Sequence, residues 1–194
     1  DGDDRSGAPQ SGKPGLHSMN HDTYPDAYIK GILDEVKTVA MIGASANNVR
    51  PSYFVLKYLL SKGYEVWPIN PGQAGKEILG QKVYSSLDEL PAVPDMIDIF
   101  RNSEAAGVIV DDVIASGKLP KVIWMQLTVR HDEAAARAEA AGIKMVMNRC
   151  PKIEYGRLSG EIGWAGVNSR TLSSKRPALK AGFQHRGLSG EKDS

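Results

Sequence analysis

The run at residues 39–51, VAMIGASANNVRP, concentrates residue types that bind phosphate. An apolar stretch ends in one glycine, Gly43, and a short polar loop leads into an amphipathic segment. Glycine turns there without a Cβ clash, and backbone amides entering a helix at Pro51 or Ser52 can point at an anion with the positive helix end behind them. Ser45, Asn47 and Asn48 add donors beside Ala44, and Arg50 adds a charge able to grip phosphate through two parallel hydrogen bonds. The same residues also suit a plain polar turn, so the surrounding elements have to decide.

Two familiar nucleotide sites do not fit. A dinucleotide site asks for Gly-x-Gly-x-x-Gly and an acid near the end of the second strand to hold the ribose. This chain has Gly-Ala-Ser-Ala-Asn-Asn, and its second strand ends Ile69-Asn70-Pro71, so both marks of an NAD site are missing. No Gly-Lys-Ser/Thr follows Gly43, which removes the ATPase P-loop. Elsewhere, Cys150 follows Arg149 at a strand end, where a cationic neighbour favours thiolate, although a small buried cysteine is the commoner use of the residue. His131 opens a helix with only Asp132 beside it to orient it. Asp111 with Asp112, and Glu133 with Glu139, read as solvated helix faces. No nucleophile, base and orienter set assembles from these residues.

The elements that position the loop alternate. Residues 24–36 carry apolar side chains at helical spacing; 38–42 is a short apolar strand; 52–62 is a helix stopped by Gly63. Residues 65–69 form a second strand, with Pro68 tolerable near its end. Residues 70–80 read as a glycine-rich loop, followed by a short turn from Ser85 to Leu90. A third strand at 96–100 leads to a helix capped by Asn102 or Ser103. A fourth strand at 121–127, an alanine-rich helix at 131–141 and a fifth strand at 143–147 complete the pattern, which fades beyond Tyr155. Such alternation predicts an α/β fold: one domain with a doubly wound parallel sheet of about five strands, in the order 3-2-1-4-5.

Composition narrows the partners. Among 194 residues the formal net charge is +1, too weak a field to mark nucleic acid or an acidic membrane as the main partner. No apolar run nears the roughly 20 residues that span a bilayer. One cysteine forms no internal disulfide, which suits a reducing, cytoplasmic setting. Residues 1–18 read as a polar, disordered leader ahead of Met19, residues 19–158 as the domain, and 159–194 as a basic, partly disordered extension.

The ordered motifs VAMIGAS with NVRPS, EVWPINPG, VYSSLDELP, IDIFRNSE, VIWMQL and MNRCPKIE resemble the stand-alone coenzyme A-binding proteins. These are similar to the N-terminal domain of the succinyl-CoA synthetase alpha subunit. The resemblance spans about residues 24–158 and implies a Rossmann-like domain with coenzyme A across the carboxyl edge of its sheet. Its phosphates would lie against Gly43, Ala44, Ser45, Asn47, Asn48 and Arg50. After the second strand the synthetase carries a lysine soon after Pro-Gly; this chain has Asn70, Pro71, Gly72 and Gln73, with Lys76 three residues on. Arg101, Asn102 and Ser103, together with Met125 and Gln126, fall where the family encloses the adenosine and the start of the pantetheine arm. Asn148, Arg149 and Cys150 follow at the same edge, where the Cys150 thiol could exchange with that of coenzyme A. The synthetase's phosphorylated histidine belongs to a second domain without a counterpart here. The expected function is a coenzyme A or acyl-CoA binder without its own catalytic apparatus, with a protein partner or a second copy as further associates. The alternatives are a subunit of an acyl-CoA ligase or transferase completed by another chain, and an NAD-binding redox regulator.

Overall fold

The computed structural model describes residues 19–160; the leader and nearly all of the basic extension lie outside them. After α1 (Asp26–Glu35) the chain alternates through β1 (Thr38–Ile42), α2 (Pro51–Ser61) and β2 (Glu65–Ile69). A small antiparallel hairpin follows, β3 (Glu77–Ile78) and β4 (Gln81–Lys82). Then come β5 (Met96–Ile99), α3 (Ser103–Ser116), β6 (Val122–Met125), α4 (Asp132–Ala140), β7 (Lys144–Val146) and α5 (Pro151–Leu158). None of these helices is long and apolar enough to cross a membrane.

The five longer strands form one parallel sheet, ordered β2-β1-β5-β6-β7. The α/β, doubly wound, Rossmann-like single domain is therefore present, but the expected order is corrected: the third long strand lies beside the first, not beside the second. The reason is on β2 itself. Pro68 has no N–H to give a ladder, which confines it to an edge strand, and its carbonyl accepts from Tyr84 N at 2.9 Å. An order with β2 inside the sheet would have required a hydrogen bond that Pro68 cannot make.

Strand residues alternate between two cores, as they must when both faces of a parallel sheet are covered. Val39, Met41, Met96, Val122, Trp124 and Val146 pack with Ile29, Ile32, Val55, Leu56 and Leu59 of α1 and α2. Ala40, Ile42, Ile97, Ile99, Ile123, Met125 and Met145 pack with Val110 and Val113 of α3 and Ala134, Ala135 and Ala138 of α4. The second edge strand, β7, is closed by tyrosines. The Tyr28 hydroxyl donates to Met145 O at 2.9 Å, and the Tyr24 hydroxyl accepts from Met147 N at 2.8 Å.

Two elements differ from the sequence reading. The stretch at 70–80 is partly a hairpin, turned by Leu79 and Gly80 at φ 51° and 78°, the left-handed pair that a tight two-residue turn requires. Helix α5 was not expected. Pro151 suits its first position, but its buried residues are Pro151, Glu154 and Gly156, so no apolar period announces it.

Candidate functional site

Gly43 ends β1 at φ +84°, and a Cβ there would lie 2.4 Å from Phe100 O. That close approach draws the ends of β1 and β5 together at the switch point, where connections leave the sheet in opposite directions. The Gly43 and Ala44 amides both donate to Ile69 O, at 3.1 and 3.3 Å, so they are spent on β2 and not on a ligand. The loop beyond is built on itself: Ser45 Oγ accepts from Asn47 N at 3.1 Å, Asn47 Oδ1 from Val49 N at 3.1 Å, and Asn47 O from Arg50 N at 3.0 Å. Asn48 and Arg50 are exposed. Arg50 is the N-cap of α2 and supplies no side-chain cap, and Pro51 at the first helical position has no N–H. The first turn of α2 thus points its positive end outward with no acceptor from the protein's own cap.

Beside this loop a cavity of about 750 Å³ opens between the β2-β1-β5 part of the sheet and α3. Ile42, Ile69, Ile97, Ile109 and Val113 form its walls, and residues 85–94 form its lid. It exists because the connection from β2 to β5 contains two three-residue 3₁₀ turns, Pro71–Gln73 and Leu87–Glu89, and no helix long enough to fill the space over β1 and β2. Its size falls within the roughly 300–1,000 Å³ of small-molecule sites. Gly43, Asn70, Pro71 and Arg101 line it. The Arg101 stem lies against Gly43, its Cδ 3.3 Å from the position a Cβ would take. Ser85, Ser86, Asp88, Asp112, Ser116 and Lys118 add polar groups that sequence reasoning left out. Among the described residues, no histidine or cysteine lines it.

The remaining expected residues are distributed differently. Asn70 braces the two loops: its Nδ2 donates to Ala44 O at 2.8 Å and its Oδ1 accepts from Gly72 N at 2.9 Å. Lys76 is exposed in the turn leading to the hairpin and does not line the cavity. Ser103 Oγ accepts from Arg130 N at 3.0 Å. Met125 is fully buried in the α3–α4 core, the side that strand alternation assigns it. Arg149 does not reach outward. Its guanidinium donates to Asp22 O at 3.0 Å and to Asn148 O at 2.7 Å and lies 5.1 Å from the Tyr24 ring centre, tying the segment before α1 to the end of β7.

Gln126 is 7% exposed and leads to a group that sequence reasoning missed. Its Nε2 donates to both oxygens of Asp98, at 2.9 and 3.2 Å. Asp98 lies on β5 between Met41 of β1 and Trp124 of β6, with no exposed surface, and burial pushes its carboxyl up to about 7. A carboxylate embedded in an apolar strand, MIDI, is visible in the sequence as a feature with a cost. Cys150 is buried at the N-cap of α5. Burial is the main cause that raises its thiol, and the nearby Asp98 charge adds to it, so the neutral form is favoured and thiol exchange is not. His131 caps α4, its Nδ1 accepting from Ala134 N at 3.1 Å, and its ring packs against Gly107, so it is held as a structural cap. No group of three metal-ligating side chains occurs among the described residues.

A parallel sheet that reverses its connections beside Gly43, with a cavity opening at that point, defines the doubly wound class whose ligands sit beyond the carboxyl ends of the strands. The chain belongs to the CoA binding domain family, whose model matches residues 37–156. An uncharacterized protein of Bacillus subtilis (strain 168), YneT, is 32% identical over 129 residues, 66% of this chain and 93% of that one. A hypothetical protein from Pyrococcus horikoshii OT3 is 35% identical with a TM-score of 0.66, over 74% of this chain and 99% of its own. A Thermus thermophilus protein is 34% identical with a TM-score of 0.65, over 70% of this chain and 99% of its own.

Proposed function

We propose that this protein binds coenzyme A or an acyl-CoA, with the diphosphate on the loop at 43–50 and part of the ligand in the neighbouring cavity. The observation that carries the reading is the meeting of three features around the end of β1: the uncapped first turn of α2, the Arg101 stem against Gly43, and a cavity lined by Gly43 and Arg101. Arg50 and Arg101 supply fixed charge for phosphate, and the isoleucine-rich walls suit the apolar portions of the ligand. An NAD reading is less well supported. The residue that follows β2 is Asn70, an amide whose Oδ1 accepts from Gly72 N, so no acid stands there for a ribose hydroxyl.

The protein acts in this reading as a carrier or sensor. Titration calorimetry with coenzyme A, acetyl-CoA and NAD tests it. Saturable heat with the coenzyme A species and none with NAD is expected, and Arg101→Ala should weaken binding by about 1–3 kcal/mol, the range for a lost charged hydrogen bond. Absence of heat with either coenzyme A species would remove the reading.

A further inference from the structure

Asp98 is an expensive residue for a purely structural core, because a buried carboxylate without a cation costs several kcal/mol that an apolar side chain would not. Among the described residues its one side-chain hydrogen-bond partner is the Gln126 amide nitrogen. An ionised carboxylate only accepts hydrogen bonds, so it fixes which end of that amide faces it and sends the carbonyl Oε1 the other way. Among the described residues, the one buried side-chain polar atom left without a partner is Glu154 Oε1. Among the described residues Gln126 Oε1 has no hydrogen-bond partner either, so it is not fully sealed in, and the residue keeps 7% of its surface exposed. Gln126 stands one residue past the end of β6, and its own N–H donates to Ile99 O, so it belongs to the carboxyl edge. From Gly43 on β1 across β5 to β6 is two strand spacings, about 10 Å, a span that a pantetheine arm covers.

We propose that Asp98 is a positioning residue for the ligand site: its carboxylate holds the Gln126 amide with the carbonyl outward, where it accepts an N–H from the pantetheine arm of coenzyme A. This rests on the coenzyme A reading above and adds a selector to it. The carbonyl favours a ligand that brings a secondary-amide donor over β5, whereas the loop at 43–50 responds to phosphate alone. Any group able to rotate the amide would exchange an acceptor for a donor and weaken that choice.

The test compares coenzyme A with adenosine 3′,5′-bisphosphate, which has no pantetheine arm, by calorimetry at pH 8.5, where Asp98 is ionised. Asp98→Asn keeps the shape and frees the amide to turn. It should weaken coenzyme A about fivefold or more and leave the bisphosphate within twofold of the original protein. Gln126→Ala should show the same selectivity, and adding Asp98→Asn to Gln126→Ala should cost no further affinity, as a double-mutant cycle requires when one residue acts through the other. Equal loss for both ligands, no loss for either, or the full Asp98→Asn effect persisting without Gln126 would overturn the proposal. If the original protein binds neither ligand, the coenzyme A reading itself fails, which is a different result from binding without selectivity.

Discussion

Replacing Asp98 by asparagine should make the protein more stable, and more so the higher the pH. In the folded state burial holds the carboxyl at about 7, against an ordinary value of 3.8, with the Gln126 bonds offsetting only part of that rise. The folded protein therefore binds this proton more tightly than the unfolded chain, so ionisation opposes folding. The contribution of Asp98 to stability is fullest below about pH 4, falls as pH rises between the unfolded and folded values, and levels off above about 7. A separation of about three pH units corresponds to ~4 kcal/mol of lost stability, a large share of the roughly 5–15 kcal/mol that holds a domain together. Asparagine has the same outline and no charge to desolvate, and its amide can still pair with Gln126. Urea unfolding at pH 4.5, 6, 7 and 8.5 would measure the difference between variant and original protein at each pH, which cancels the other titrating groups. That difference should be small at pH 4.5 and grow to ~4 kcal/mol by pH 8.5. A difference that stays flat across the series would refute the reasoning, because it would mean that Asp98 is not a desolvated acid.

Gly43→Ala should destabilise the domain by about 2–5 kcal/mol, combining a left-handed backbone with a Cβ forced into the end of β5. The clash is with Phe100 O, 2.4 Å from the Cβ position, and a thermal midpoint within a degree of the original would count against it. Tyr24→Phe should cost about 1–3 kcal/mol by leaving the edge-strand amide of Met147 without its acceptor, and chemical denaturation measures it; an unchanged midpoint would show that water serves that amide equally well.

Much of the fold could be read from the sequence because each strand is a short apolar run bounded by a turn or a cap, and these are local signals. The strand order was also written there, in Pro68, since a residue without an N–H belongs at a border; the proline was read for its place along the strand and not for its place across the sheet. The shape of the candidate site was legible where it depends on backbone, in the glycine turn at Gly43 and the start of α2. It was less legible where long side chains choose among distant partners. Arg149 sits at the expected edge, yet its guanidinium meets the carbonyl of Asp22, 127 positions earlier, and nothing near Arg149 announces that. Met125 and Gln126 are adjacent but point to opposite faces, so a strand-end assignment could not suit both side chains. The lid at 85–94 has neither helical nor strand period, and only the empty space beneath it shows its role.

The two borders of the sheet have a consequence for growth. On one side Pro68 withholds a donor and yields its carbonyl to Tyr84; on the other, two phenol groups occupy the backbone of Met145 and Met147. A neighbouring chain that tried to lay a strand against either side would find these hydrogen-bonding positions already occupied or chemically missing. The folded molecule is thus a poor template for its own polymerisation. Companions, whether copies of itself or other proteins, have to recognise the shapes and charges that its helices and loops present.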